Sequence, residues 1–157
     1  MLALQVLVLN YVNLGGYINP YVYIFPILLL PVSFPGWFML LLSFFLGLVV
    51  DFFMDTFGMH IAATVLMAFS RPGIIRLIST RERYDEGTVP QFSTMGGQWV
   101  FFYTIILVGI HHFCLFSLEV FRLSYFHVTL FISFLNTLIS SAIILFLFFV
   151  FGNSARR

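Results

Sequence analysis

Long apolar runs separated by short polar or Gly/Pro breaks organise this chain. A helix that crosses a bilayer needs about 20 apolar residues. The runs at 2–14, 20–34, 37–54, 58–70, 99–118 and 126–151 predict one integral membrane domain over 1–157, an all-α bundle of about six transmembrane helices. The first run is short, which fits a tilted helix, a locally thinned bilayer or a start site upstream of Met1. Met1 to Leu9 carries no charge, so it reads as a membrane segment rather than a cleavable signal peptide. The second run contains Pro26 and Pro31, each without a backbone donor, so it predicts a kinked or broken helix covered by its neighbours.

Charge sorts the breaks into two sides. Arg71, Arg76, Arg81 and Arg83 fall in the stretch 71–98, which predicts a cytoplasmic loop, and Arg156 and Arg157 mark a cytoplasmic C-terminus. Two predicted spans separate them, and counting back through four more also places the N-terminus in the cytoplasm. Asn10 to Asn19, the turn near Thr56 to Gly58, and Glu119 to Tyr125 then lie outside, too short to hold an exported domain.

Composition agrees with lipid as the main solvent: 61% of residues are hydrophobic and 8% charged, against roughly a quarter charged in a soluble domain. Tyr11, Tyr17, Tyr21, Tyr23, Trp37, Trp99, Tyr103 and Tyr125 flank apolar runs, where interfacial aromatics are expected. A net charge of +1 excludes a polybasic nucleic-acid face. The single cysteine, Cys114, excludes an intramolecular disulfide and a cysteine-based zinc site and reads as a small buried hydrophobe.

The polar residues inside the runs concentrate between Gly47 and Ala63. Asp51 and Asp55 are four residues apart, hence on one helix face. They fit a proton or cation site, or a polar anchor for a neighbouring helix or partner. In the plainer reading Asp55 caps the fourth helix or sits in headgroup water, while Asp51 bonds to a neighbouring helix. Gly47, Gly58, Ala62 and Ala63 let backbones approach and predict a tight helical hairpin, with His60 placed in its turn. His111 and His112 point about 100° apart on a helix and read as structural hydrogen-bonding groups. The run Arg81 to Glu86 reads as a solvated face or a docking surface for a cytosolic partner, with Arg81 and Asp85 spaced for an ion pair if helical. HExxH, GxSxG, Walker and dinucleotide motifs are missing, so no catalytic, cofactor or metal site is assigned.

The Gly47-x-x-x-Asp51 helix, the following Phe57-Gly58-Met-His60-x-Ala62-Ala63 and the Arg71-Pro72 exit resemble the core of the rod shape-determining MreD family. Gln5-Val-Leu-Val-Leu-Asn and Gly16-Tyr-Ile-Asn-Pro20 look like its Bacteroidetes-like branch. The resemblance covers most of the chain and implies a non-enzymatic component of the elongation machinery in the bacterial inner membrane. It implies pairing with MreC and, with MreB, RodA and a penicillin-binding transpeptidase, guidance of lateral peptidoglycan synthesis. Gly47, Asp51, Asp55, Gly58, His60, Ala63 and Arg71 are the structural or partner-binding candidates. The family's fold is similar to the substrate-binding subunit of energy-coupling-factor transporters, so the alternative is a vitamin-binding subunit.

Overall fold

A computed structural model describes Gln5 and residues 19–79, 84–85, 87–120 and 126–154. Its helices are α1 (Phe25–Leu28), α2 (Gly36–Met54), α3 (Met59–Ile78), α4 (Phe92–Met95), α5 (Gly97–Val120) and α6 (Phe126–Ser154). Four of them, α2, α3, α5 and α6, are long and apolar enough to cross a membrane. At about 1.5 Å per residue α2 and α3 match a hydrocarbon layer of about 30 Å, while α6 exceeds it and must tilt or project. In sequence order each long helix packs on the next: α2 on α3, α3 on α5, α5 on α6. The outer surface carries Trp37, Phe45 and Phe52 from α2 and Phe131, Phe134 and Phe146 from α6, which suits lipid rather than water.

Among the described residues the count of long helices is therefore four. The first apolar run lies outside them except for Gln5. The second is not a continuous helix: only Phe25–Leu28 is helical, and Tyr21 to Phe25, Ile27 and Leu28 are buried inside the bundle. Pro20 and Pro26 deny the run a continuous amide ladder, and Pro31 stops it from resuming.

The fourth run extends further than its apolar stretch. Helix α3 continues through Arg71 and Pro72 to Ile78, because His60, Ala63, Thr64, Met67, Ala68, Arg71 and Ile75 make one buried stripe across that junction. Arg71 is thus an interior residue and not a loop marker, and the loop begins near Ser79. The predicted charge run retains only Tyr84 and Asp85 among the described residues, neither of them helical; Arg81 lies outside. Tyr21, Tyr23 and Tyr103 are core residues instead of interfacial ones, whereas Trp37 is exposed at the start of α2.

The α2–α3 hairpin is as tight as its small residues predict. A Cβ built on Gly47 meets Ile61 Cα at 2.6 Å, Ile61 N at 2.7 Å and the His60 carbonyl carbon at 2.9 Å, all backbone atoms that cannot swing away. Ala63 is buried in the same stripe, and Ala62 faces outward. Gly47→Ala is expected to push the two helices apart at a cost of about 1–3 kcal/mol, the usual range for overpacking. An unchanged thermal midpoint for purified Gly47→Ala protein in detergent would refute that contact.

Candidate functional site

Backbone without regular hydrogen bonding survives at membrane depth only when protein groups serve it. Within segment 19–31 the short α1 and its flanking turns pair several amides locally, and polar side chains of the bundle interior serve both ends of the segment and hold the Tyr23 side chain at its middle.

At its start, Asn19 N–H donates to Asn136 Oδ1 at 2.8 Å and Tyr21 N–H donates to Ser140 Oγ at 3.0 Å, both acceptors on α6. Gln5 bridges the same stretch, accepting from Val22 N–H at 2.8 Å and donating to the Pro20 carbonyl at 3.2 Å. Ser140 also meets His112 Nε2 at 3.3 Å, and His112 Nδ1 lies 2.8 Å from the Val108 carbonyl. A carbonyl only accepts, so His112 carries its proton on Nδ1 and takes the Ser140 hydroxyl proton on Nε2.

At the middle of the segment Tyr23 is a three-way hub. Its hydroxyl lies 3.1 Å from His60 Nδ1, 3.0 Å from Thr64 Oγ1 and 2.7 Å from His111 Nε2. Thr64 gives its own proton to the His60 carbonyl at 2.5 Å, so Tyr23 donates to Thr64 and both imidazoles donate to Tyr23. That arrangement fills the phenol's one donor and two acceptor positions. It leaves His111 Nδ1 buried without a partner, beside the Tyr21 ring that packs edgewise on His60 and His111. Tyr23→Phe strands two imidazole N–H groups and the Thr64 oxygen at about 1 kcal/mol or more each. We expect a clearly lowered thermal midpoint in detergent, and a midpoint equal to wild type would show the hub to be idle.

At its end the segment meets Arg71, which is only 2% exposed. Arg71 Nε donates to the Tyr103 hydroxyl at 2.6 Å, Nη1 to the Pro31 carbonyl at 3.3 Å and Nη2 to the Leu30 carbonyl. Tyr103 passes its own proton to the Leu28 carbonyl at 3.0 Å. The guanidinium fork is suited to this work because it fans several N–H donors over neighbouring oxygens. Carbonyl dipoles, with no carboxylate among the described residues, surround this charge.

The remaining candidates belong to the hairpin turn. Asp51 Oδ1 accepts from Thr56 Oγ1 at 2.6 Å and from His60 N–H at 3.0 Å, and Oδ2 accepts from Ile61 N–H at 2.9 Å. Asp51 therefore caps α3 from across the hairpin, and Asp55 does not. Asp55 ends α2 in the left-handed region with φ 55° and points outward. Gly58 precedes α3 with φ 85°, a conformation that favours glycine. His60 lies in the first turn of α3 and not in the loop, and its side chain is in the core.

The seven candidates thus divide. His60 joins the Tyr23 hub, Arg71 holds the carbonyl end, and Gly47, Asp51, Gly58 and Ala63 shape the hairpin; Asp55 stands apart at the surface. Thr64, Asn136 and Ser140 were not singled out from the sequence, Tyr23 and Tyr103 were read as interfacial aromatics, and Gln5 entered only through the resemblance. One signal for them was legible: Thr129, Ser133, Asn136 and Ser140 recur at helical spacing through an otherwise apolar span, and all four are buried. Among the described residues no three His, Cys, Asp or Glu side chains converge as metal ligands. Comparison with family models, curated proteins and solved structures finds no match.

Proposed function

We propose that this chain is a non-catalytic subunit of a bacterial cell-elongation complex, the part that its resemblance to MreD implies, acting in the inner membrane with both termini in the cytoplasm. In this reading it binds MreC and, with MreB, RodA and a penicillin-binding transpeptidase, helps to place lateral peptidoglycan synthesis. The observation that carries the reading is the use made of the interior polar groups. Gln5, Tyr23, Arg71, Tyr103, Asn136 and Ser140 are all engaged in holding segment 19–31, so the bundle core works as a rigid frame. A rigid frame suits a protein whose task is to present surfaces to other membrane proteins.

The test is co-isolation from native membranes of tagged protein with an MreC-like chain that crosses the membrane once. A stable complex in mild detergent is the expected outcome. No complex in detergent or in cells, together with a rise in thermal midpoint on adding a vitamin, would instead favour the vitamin-binding subunit.

A further inference from the structure

Three of the protein's four histidines meet inside the bundle. The Tyr21 ring touches all of them, its centroid 5.3 Å from that of His60, 6.3 Å from His111 and 5.6 Å from His112, and His111 lies 5.2 Å from His112. None of the three is more than 1% exposed. With both His60 and His111 donating to Tyr23, the uncharged rings carry bare lone pairs at Nε2 of His60 and Nδ1 of His111, and the second has no donor to fill it. An imidazole buried only to brace Tyr23 gains nothing from an unfilled nitrogen, which costs free energy there. A proton is the one donor that needs no room between rings already in contact.

What a proton would meet decides its effect. Tyr21 and Tyr23 face His111 from segment 19–31, His60 faces it across Tyr23 from α3, and His112 adjoins it on α5. From α6, Ser140 reaches His112 and does not titrate. The carboxylate of Asp51 on α2 is occupied by the Thr56 hydroxyl and the amides of His60 and Ile61. Arg71 lies eleven residues further along α3, about 16 Å at 1.5 Å per residue. Glu119 near the end of α5 and His127 near the start of α6 are exposed. Among the described residues no unoccupied carboxylate bonds to these rings, so a charged imidazole is costly while the cluster stays closed. The cost falls once water reaches the rings, and the backbone laid over them, residues 19–24, has no helix of its own to hold it in place.

We propose that the Tyr23 hub is a proton-released latch: uptake of a proton by the His60–His111 pair frees the middle of segment 19–31, while Asn136 and Arg71, which do not titrate in this range, keep its two ends. The frame described above is then rigid only while these rings are uncharged, whichever partner it serves. Protons bind the open arrangement more readily than the closed one. Lowering the pH through the ordinary imidazole range, about 6.5, therefore favours opening, and raising it restores closure.

Hydrogen–deuterium exchange of the purified full-length protein in detergent, read as protection factors from about pH 8 to about pH 5, tests the latch. Peptides covering 19–31 are expected to lose protection about tenfold per pH unit below about 6.5 for each proton taken up, while peptides of α2 and α6 keep theirs. His60→Asn combined with His111→Gln puts amide nitrogens near the donating Nδ1 and Nε2 positions and cannot titrate. The double variant should match wild-type protection at about pH 8 and show no loss in acid. Ring-nitrogen resonances of isotope-labelled histidine in the wild-type protein give a readout that does not depend on the variant folding. Neutral rings should be seen at about pH 8, charging in step with the loss of protection. Flat protection across the series, loss spread evenly over all helices, acid loss that persists in the double variant, or histidines that charge without any change in segment 19–31 would each overturn the latch.

Discussion

Arg71→Ala is expected to be the most damaging single substitution in the bundle, lowering stability by about 4 kcal/mol, with folded protein lost from detergent extracts. The figure follows from what the guanidinium leaves behind. The Leu30 and Pro31 carbonyls and the Tyr103 oxygen lose their donor together, each at about 1–3 kcal/mol in a buried setting, and removing the stem opens a cavity. Arg71→Met separates the two contributions, since it keeps most of the volume and none of the donors. Arg71→Lys should fall between wild type and alanine, because a compact ammonium cannot spread over three oxygens as the planar fork does. Fluorescence-detected size exclusion and thermal unfolding of the purified variants provide the readout. If Arg71→Ala unfolds at the wild-type temperature, the carbonyl end of segment 19–31 is not held as described.

The second large effect concerns the two aspartates, which are four residues apart yet should behave in opposite ways. Asp51→Ala removes the acceptor for Thr56 Oγ1, His60 N–H and Ile61 N–H at once. The expected loss is about 2–4 kcal/mol, combining a helix cap with buried donors left unpaired. Asp51→Asn keeps one acceptor oxygen and should lose less. Asp55 is exposed with a strained φ, so Asp55→Gly should unfold at or above the wild-type temperature, since glycine adopts that φ freely. Equal effects of Asp51→Ala and Asp55→Ala would contradict the cross-hairpin cap.

Why the sequence reveals some of this and hides the rest is a matter of range. The long spans were legible from hydropathy because lipid contact is a property of each helix alone. The break in the second run was legible from Pro26 and Pro31 because a missing amide is a local fact. The Gly47 crossing was legible because only a small residue allows that approach. What stayed hidden depends on partners far along the chain. Arg71 looks like a loop arginine until Leu30 and Tyr103 are placed beside it, and Tyr23 looks interfacial until His60 and His111 surround it. Asp51 and Asp55 are interchangeable by spacing, and only the hairpin geometry decides which carboxylate reaches the α3 amides.

The dependence of segment 19–31 on α6 sets an order of events during synthesis. Asn19 and Tyr21 are bonded to residues 117 and 119 positions later. At about 5–20 residues per second, translation reaches those partners about 6–24 seconds after the segment itself is made. Throughout that interval the Asn19 and Tyr21 amides lack their final acceptors. The nascent segment must therefore wait at the membrane surface or in the care of the insertion machinery, and chains truncated before Asn136 should be degraded rather than accumulate.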